Sequence, residues 1–121
     1  TPYSPLASGR LARDLSKTTK RYETDQIAKG KYDSTADADQ EIIKRVAEVS
    51  EKHKVSRAQV SLAWLLHKAP VVAPIIGATK ISHLESAVAA LDVKLTKEDI
   101  AYLEEPYVPH PIVGLIPYGN Q

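Results

Sequence analysis

The sequence predicts an α/β fold built on parallel strands. Three observations predict it. Residues 71–77, Val71-Val72-Ala73-Pro74-Ile75-Ile76-Gly77, form a short and mostly β-branched run that reads as a fully buried strand, the kind that parallel sheets use. Helical periodicity flanks that run, with a helix pair before it and two helices after it. A second strand-like segment opens the chain at residues 1–9, so the order is strand, long loop, helix pair, strand, helix, helix, tail. Two parallel strands cannot make a sheet that covers itself. The 121 residues are therefore expected to be one partial domain of something larger, and the start at Thr1 with no Met anywhere points to a fragment or processed piece.

Each element has its own reason. In residues 1–9 an aromatic residue stands at a strand end, followed by Ser4-Pro5-Leu6-Ala7-Ser8-Gly9, an exit loop of small and hydroxyl residues. Residues 10–38 are polar and broken, with Arg10, Arg13, Lys17, Lys20, Arg21, Lys29 and Lys31 interleaved with Asp, Ser, Thr and Gly30, which reads as a long surface loop. The helix pair occupies 39–69. Its first member carries Ile42, Ile43, Val46, Val49 and His53 on one face and Glu41, Lys44, Arg45, Glu48 and Lys52 on the other. Its second opens with Ser56-Arg57-Ala58-Gln59, the spacing of a capping box, and is apolar nearly all round from Val60 to Leu66 until Pro70 stops it.

After the 71–77 strand come two helices within 80–105. The first carries a stripe of Leu84, Val88 and Leu91, with Thr79 or Ser82 as its cap. The second starts at Thr96-Lys97-Glu98-Asp99, where a capping side chain and early acids suit the helix dipole, and buries Ile100 and Leu103 until Pro106 ends it. Prolines at 106, 109, 111 and 117 make residues 106–121 an extended tail.

Composition narrows the function classes. With 43% hydrophobic and 26% charged residues the chain is ordinary for a globular protein; with no Phe and one Trp its core must be aliphatic. No apolar run is long enough to cross a bilayer. A net charge of +1 lacks the footprint of a dedicated nucleic-acid binder. Without cysteine there is no disulfide framework, thiolate metal site or cysteine nucleophile, and a cytoplasmic location is the default expectation. The five glycines are isolated, so no dinucleotide fingerprint or P-loop is present, and His53, His67, His83 and His110 are too far apart for a local metal motif.

What remains for chemistry is two strand ends. The run at 71–77 passes through Gly77-Ala78-Thr79-Lys80 directly into a helix. There a small residue admits a ligand to the backbone, a hydroxyl can meet a phosphate oxygen, the helix N-terminus presents N–H groups, and Lys80 adds a full positive charge. The same residues also describe a plain glycine turn with a capping Thr and a solvent-exposed Lys. At the first strand end Tyr3 offers a face for a planar heterocycle, and Ser4, Ser8 and Arg10 offer donors to a pyrophosphate; a core tyrosine before a proline turn is the alternative.

These segments, together with Ala63-Trp64-Leu65-Leu66 and Pro74-Ile75-Ile76-Gly77-Ala78-Thr79-Lys80, resemble the C-terminal part of the aldo-keto reductases from Tyr3 to about Glu105. The resemblance implies the seventh and eighth strands of a (β/α)8 TIM barrel, incomplete as a barrel on its own, and NADPH as cofactor. It implies that Tyr3 stacks on the nicotinamide, that Ser4, Leu6 and Ser8, with Arg10, lie along the ribose and pyrophosphate, and that Gly77, Thr79 and Lys80 hold the 2′-phosphate, with His83 as a polar adenosine contact. Ser86-Ala87 stands where many members have a Glu-Asn pair for the adenine. The family's catalytic Tyr and its Asp, Lys and His partners match no segment here. Tyr3, Tyr22, Tyr32, Tyr102, Tyr107 and Tyr118 sit in no matching motif, so the expectation is cofactor binding without a catalytic residue, in an enzyme that reduces aldehydes or ketones when whole. Two other readings stand beside it: a non-catalytic, NADPH-binding regulatory barrel, and a helix-turn-helix DNA binder. The last is opposed by the apolar second helix, whose base-reading side chains would be only Arg57, Gln59 and Ser61.

Overall fold

The structure, a computed structural model, describes residues 1–14, 16, 23 and 26–109. Among them the helices are α1 (Gln26–Tyr32), α2 (Ala36–His53), α3 (Arg57–Leu66), α4 (Ile81–Ala89) and α5 (Lys97–Glu104), with short 3-10 turns at Ala7–Gly9, Asp33–Thr35 and Ala90–Asp92. The expected tail from His110 onward and most of the loop between Leu15 and Asp25 lie outside the described residues.

The amphipathic pattern of α2 turns Ile43, Val46 and Val49 inward, with Ile42 and His53 half-buried beside them. Its C-terminus is closed by Lys54 in the left-handed conformation (φ 55°, ψ 40°), a position glycine fills more readily. The chain then turns straight into α3. There the Gln59 N–H donates to Ser56 Oγ at 3.2 Å and the Ser56 N–H donates to Gln59 Oε1 at 2.9 Å, the reciprocal cap that the spacing predicts. An equivalent box starts α5: the Asp99 N–H donates to Thr96 Oγ1 at 3.1 Å and the Thr96 N–H to Asp99 Oδ2 at 3.0 Å. These three helices enclose the core of Val46, Val49, Val60, Ala63, Leu95 and Leu103, with Leu11, Val55, Trp64, Val93 and Ile100 packed on it.

Several expectations need correction. Neither 1–9 nor 71–77 forms an extended strand: among the described residues their pairing is one parallel bridge between Tyr3 and Ile75, with the Ile75 N–H donating to the Pro2 carbonyl at 2.9 Å. The buried strand expected at 71–77 is largely exposed, Val72 at 83%. A parallel strand is completed by neighbours along both edges and a layer on each face, and two short segments supply neither. The long loop at 10–38 holds α1, a 3-10 turn and the first turn of α2, which begins at Ala36 rather than after Asp39; Asp37 and Asp39 in that turn suit the positive end of the helix dipole. Helix α3 ends at Leu66, ahead of Pro70. Neither Thr79 nor Ser82 caps α4; Lys80 occupies the cap position with an extended backbone and no side-chain bond. The Leu84, Val88 and Leu91 stripe of α4 is more than half exposed, as is Ile81.

Candidate functional site

The Tyr3–Ile75 bridge decides the site's geometry. Because the pairing is parallel, the two segments run the same way, and their carboxyl ends emerge side by side. From one emerges Ser4 to Gly9; from the other, two residues past Ile75, emerges Gly77 to Lys80. Ligands of parallel α/β folds sit at this end of the strands, because the loops there leave the sheet without closing over it.

The first turn has an unusual backbone. Ser4 (φ 54°), Ala7 (φ 50°), Ser8 (φ 56°) and Gly9 (φ 89°) are all left-handed, a conformation that costs non-glycine residues on the order of 1 kcal/mol each. Bonds from the Ala7 N–H to Ser4 O (3.0 Å), the Gly9 N–H to Leu6 O (2.9 Å) and the Arg10 N–H to Ala7 O (3.2 Å) hold it wound. Ser8 is exposed, while Ser4 and Leu6 are half-buried. Tyr3 itself is 77% exposed, and Lys31 Nζ lies over its ring, 5.6 Å from the centroid.

In the second turn Gly77, Thr79, Lys80 and His83 are exposed, and the His83 N–H donates to Lys80 O at 3.1 Å in the first turn of α4. A Cβ built on Gly77 or Gly9 would meet no atom of the described residues within 4 Å, so the backbone is open on that side. Helix α4 differs from α3 and α5 in lacking a side-chain cap, which leaves its first N–H groups to solvent or to an anion. An exposed aromatic face, three hydroxyls, an ammonium and an uncapped helix start, brought to one edge, fit a planar ring joined to phosphates.

Arg10 is placed differently from the others. It is 6% exposed and turns back into the protein, its Nη2 donating to Asp33 Oδ1 at 2.6 Å and its guanidinium lying 5.7 Å from the Tyr32 ring centroid. Its charge is thus committed to anchoring the segment around α1 on the first turn. Lys31, Tyr32 and Asp33 lie in the 10–38 stretch, which the resemblance matches to the variable loop folding over the coenzyme; that Asp33 partners Arg10 and that Lys31 reaches the Tyr3 ring is not legible in its sequence.

The other concentration of charge joins the end of α2 to α5. Asp99 is 3% exposed, and its carboxylate accepts from Lys52 Nζ at 2.6 Å and contacts His53 Nε2 at 2.6 Å besides the Thr96 N–H. Burial disfavours its charge, but the bonds from Lys52, Thr96 and His53 outweigh that and hold its pKa well below the usual carboxylate range. Nearby, Arg45 lies over the Tyr102 ring at 4.4 Å and donates to Glu41, to Glu105 and to the Tyr102 carbonyl, while the Tyr102 hydroxyl donates to Glu48. That bond to Glu48 raises the phenol pKa. A cavity of about 540 Å³ opens beneath Trp64, lined by Pro5, Val60, Leu65 and Leu103; Lys68 and Glu104 beside it pair with each other, and Trp64 Nε1 donates to Glu104 at 2.9 Å. The Lys68 bond holds the Glu104 pKa low. These groups satisfy one another and tie helices together, whereas Tyr3, Ser8, Thr79 and Lys80 on the two turns are exposed.

The sequence profile of the Aldo/keto reductase family matches residues 1–107, and the chain belongs to that family. It is 45% identical over 109 residues to a Saccharomyces cerevisiae protein named "Putative aryl-alcohol dehydrogenase AAD16", covering 89% of this chain and 31% of that protein. It is 44% identical over 113 residues to versiconal hemiacetal acetate reductase of Aspergillus parasiticus, covering 92% and 33% respectively. To the aldo-keto reductase dtxS3 of Metarhizium robertsii it is 42% identical over 114 residues, covering 93% and 30%. The chain thus spans about a third of the length of the curated relatives it matches. The family implies a TIM barrel, of which these residues form part.

Proposed function

We propose that these residues form the coenzyme-binding edge of an NADPH-dependent oxidoreductase that reduces the carbonyl group of small aldehydes or ketones. One observation carries the reading: the parallel Tyr3–Ile75 bridge puts the aromatic turn and the glycine-to-lysine turn on one edge, facing the same way. Family membership and the reductase and dehydrogenase names of the relatives support it. Bound NADPH would supply a hydride to the carbonyl carbon.

The chain's own residues do the holding. Tyr3 offers an open ring face for the nicotinamide. Ser4, Leu6 and Ser8 line the turn along which the ribose and pyrophosphate lie. Gly77 leaves room for the 2′-phosphate to approach the backbone, Thr79 donates a hydroxyl, and Lys80 supplies a charge that NADH could not exploit; His83 borders the adenosine. Arg10 acts one step removed, anchoring the Asp33 segment beside the coenzyme. The proton for the carbonyl oxygen comes from a Tyr with Asp, Lys and His partners outside these residues, and the exposed Ile81, Leu84, Val88 and Leu91 stripe is the face that the rest of a barrel would cover. Substrate binding, a cytoplasmic location and inactivity of the 121 residues alone belong to the same proposal. Among the described residues no helix is long and apolar enough to cross a membrane.

Coenzyme titration of the full polypeptide carrying these residues tests the reading. Lys80→Ala should weaken NADPH at least tenfold, about 1.4 kcal/mol, and leave NADH unchanged. Equal NADPH affinity before and after the substitution sinks the phosphate assignment.

A further inference from the structure

The contact between Lys31 and Tyr3 joins two parts of the chain that sequence reading keeps apart. Lys31, near the end of α1, holds its ammonium 5.6 Å from the Tyr3 ring centroid, yet Tyr3 remains 77% exposed. One face of the ring therefore meets an ammonium, and among the described residues most of the side chain remains exposed. Arg10 and Asp33, paired at 2.6 Å, anchor the same segment two residues beyond Lys31 and so help set the backbone from which Lys31 reaches the ring.

We propose that Lys31 is a specificity-determining residue that makes this site favour the reduced coenzyme over the oxidised one. The proposal rests on the coenzyme reading above and deepens it. The two forms carry the same phosphates and ribose and differ at the nicotinamide, which is cationic when oxidised and neutral when reduced. A ring's π face attracts cations, and an oxidised nicotinamide stacked on Tyr3 would draw on that attraction. Lys31 already uses the ring from the opposite side. With stacked rings about 4.5–7 Å apart between centroids, the two positive charges would lie roughly 10 Å from each other across Tyr3. At that separation, in the partly screened environment of a protein edge, like charges disfavour each other by a factor of about 3 to 10 in affinity. Reduced nicotinamide feels none of this repulsion. The site would then release NADP⁺ more readily than it releases NADPH, which suits an enzyme working in the direction of carbonyl reduction.

The test is equilibrium binding without substrate, by titration calorimetry, of NADPH and NADP⁺ to the full polypeptide and its Lys31 variants. Lys31→Gln should tighten NADP⁺ about threefold to tenfold while leaving NADPH within twofold. Lys31→Arg should keep the original ratio, and Lys31→Glu should move it further towards NADP⁺ than Lys31→Gln does. The ratio in the unsubstituted protein should also shrink as NaCl rises, since the Debye length falls from about 10 Å at 0.1 M to about 3 Å at 1 M. A ratio that is the same in Lys31→Gln, or two affinities that change in parallel, overturns the proposal and leaves the coenzyme reading standing. No binding of either coenzyme by the unsubstituted protein overturns the coenzyme reading, and this proposal with it.

Discussion

The helical half of the molecule and its strand-tip edge are built on opposite terms. Helices α2, α3 and α5 bury Val46, Val49, Val60, Ala63, Leu95 and Leu103 against one another, and each N-terminus of α3 and α5 satisfies its own orphan N–H groups through a capping box. The edge that carries Tyr3, Ile75 and Gly77 has one parallel bridge, and the apolar stripe of α4 behind it stands in solvent. A helix completes its backbone hydrogen bonds within itself, so three of them can close a core over a short stretch of chain. A strand completes its bonds only with neighbours, so two short segments joined by a single bridge leave their edge open. The open edge is also where the exposed donors stand.

Substitutions should separate these two halves, beginning with the core. Leu103→Ala should cost about 3 kcal/mol in urea unfolding, because it removes packing that α2 and α3 share. A loss as small as that of a surface substitution would mean the helices do not form one cooperative core. Next comes the Asp99 cluster: Asp99→Ala should cost about 2 kcal/mol, since it removes the carboxylate that accepts from the Thr96 N–H in the capping box and leaves Lys52 and His53 without their buried partner.

The same carboxylate fixes the sign of a pH effect. Asp99 takes up a proton near its ordinary value of 3.8 when unfolded and only at lower pH when folded, so acid favours the unfolded chain. Its contribution should be fully present above about pH 5 and fall away below about pH 4, and urea midpoints measured across that range in the unsubstituted protein and in Asp99→Asn should diverge on the neutral side and converge in acid.

Lys54→Gly should raise stability by about 0.5–1 kcal/mol, read from the thermal midpoint, because glycine holds the left-handed end of α2 without strain. The smallest effect belongs to the open edge. Leu84→Ser should change the stability of the 121-residue chain by less than about 0.5 kcal/mol, whereas in a full barrel it should cost about 2 kcal/mol. Equal costs in both would show that α4 is no more buried in the longer protein, and would remove the argument that its stripe faces absent barrel segments.

Legibility followed the range of the interactions. Ser56 with Gln59 and Thr96 with Asp99 lie three residues apart, so their boxes are readable from spacing, and the Ile43, Val46 and Val49 face follows from the helical period. The start of α1 was not readable, because Gln26 to Tyr32 has no apolar stripe of its own. The Leu84, Val88 and Leu91 stripe is legible from the helical period, but its exposure is not, since a stripe marks a face suited to burial and exposure depends on which neighbours are present. Among the candidate site residues, the chemistry of Tyr3, Thr79 and Lys80 was visible in their types, but Arg10 as a partner of Asp33 was not, since the two stand 23 positions apart.

By itself, the sequence determined the helix starts that are capped locally, the aliphatic composition of the core and the donor types at the two strand ends, because each depends on residues within a turn or two of one another. Only the tertiary structure decided that those ends lie side by side, that Lys31 rests against Tyr3, and that Asp99 joins α5 to the end of α2. Each of these brings together residues 28 or more positions apart in a chain whose local pattern is compatible with many separations, and packing alone selects among them.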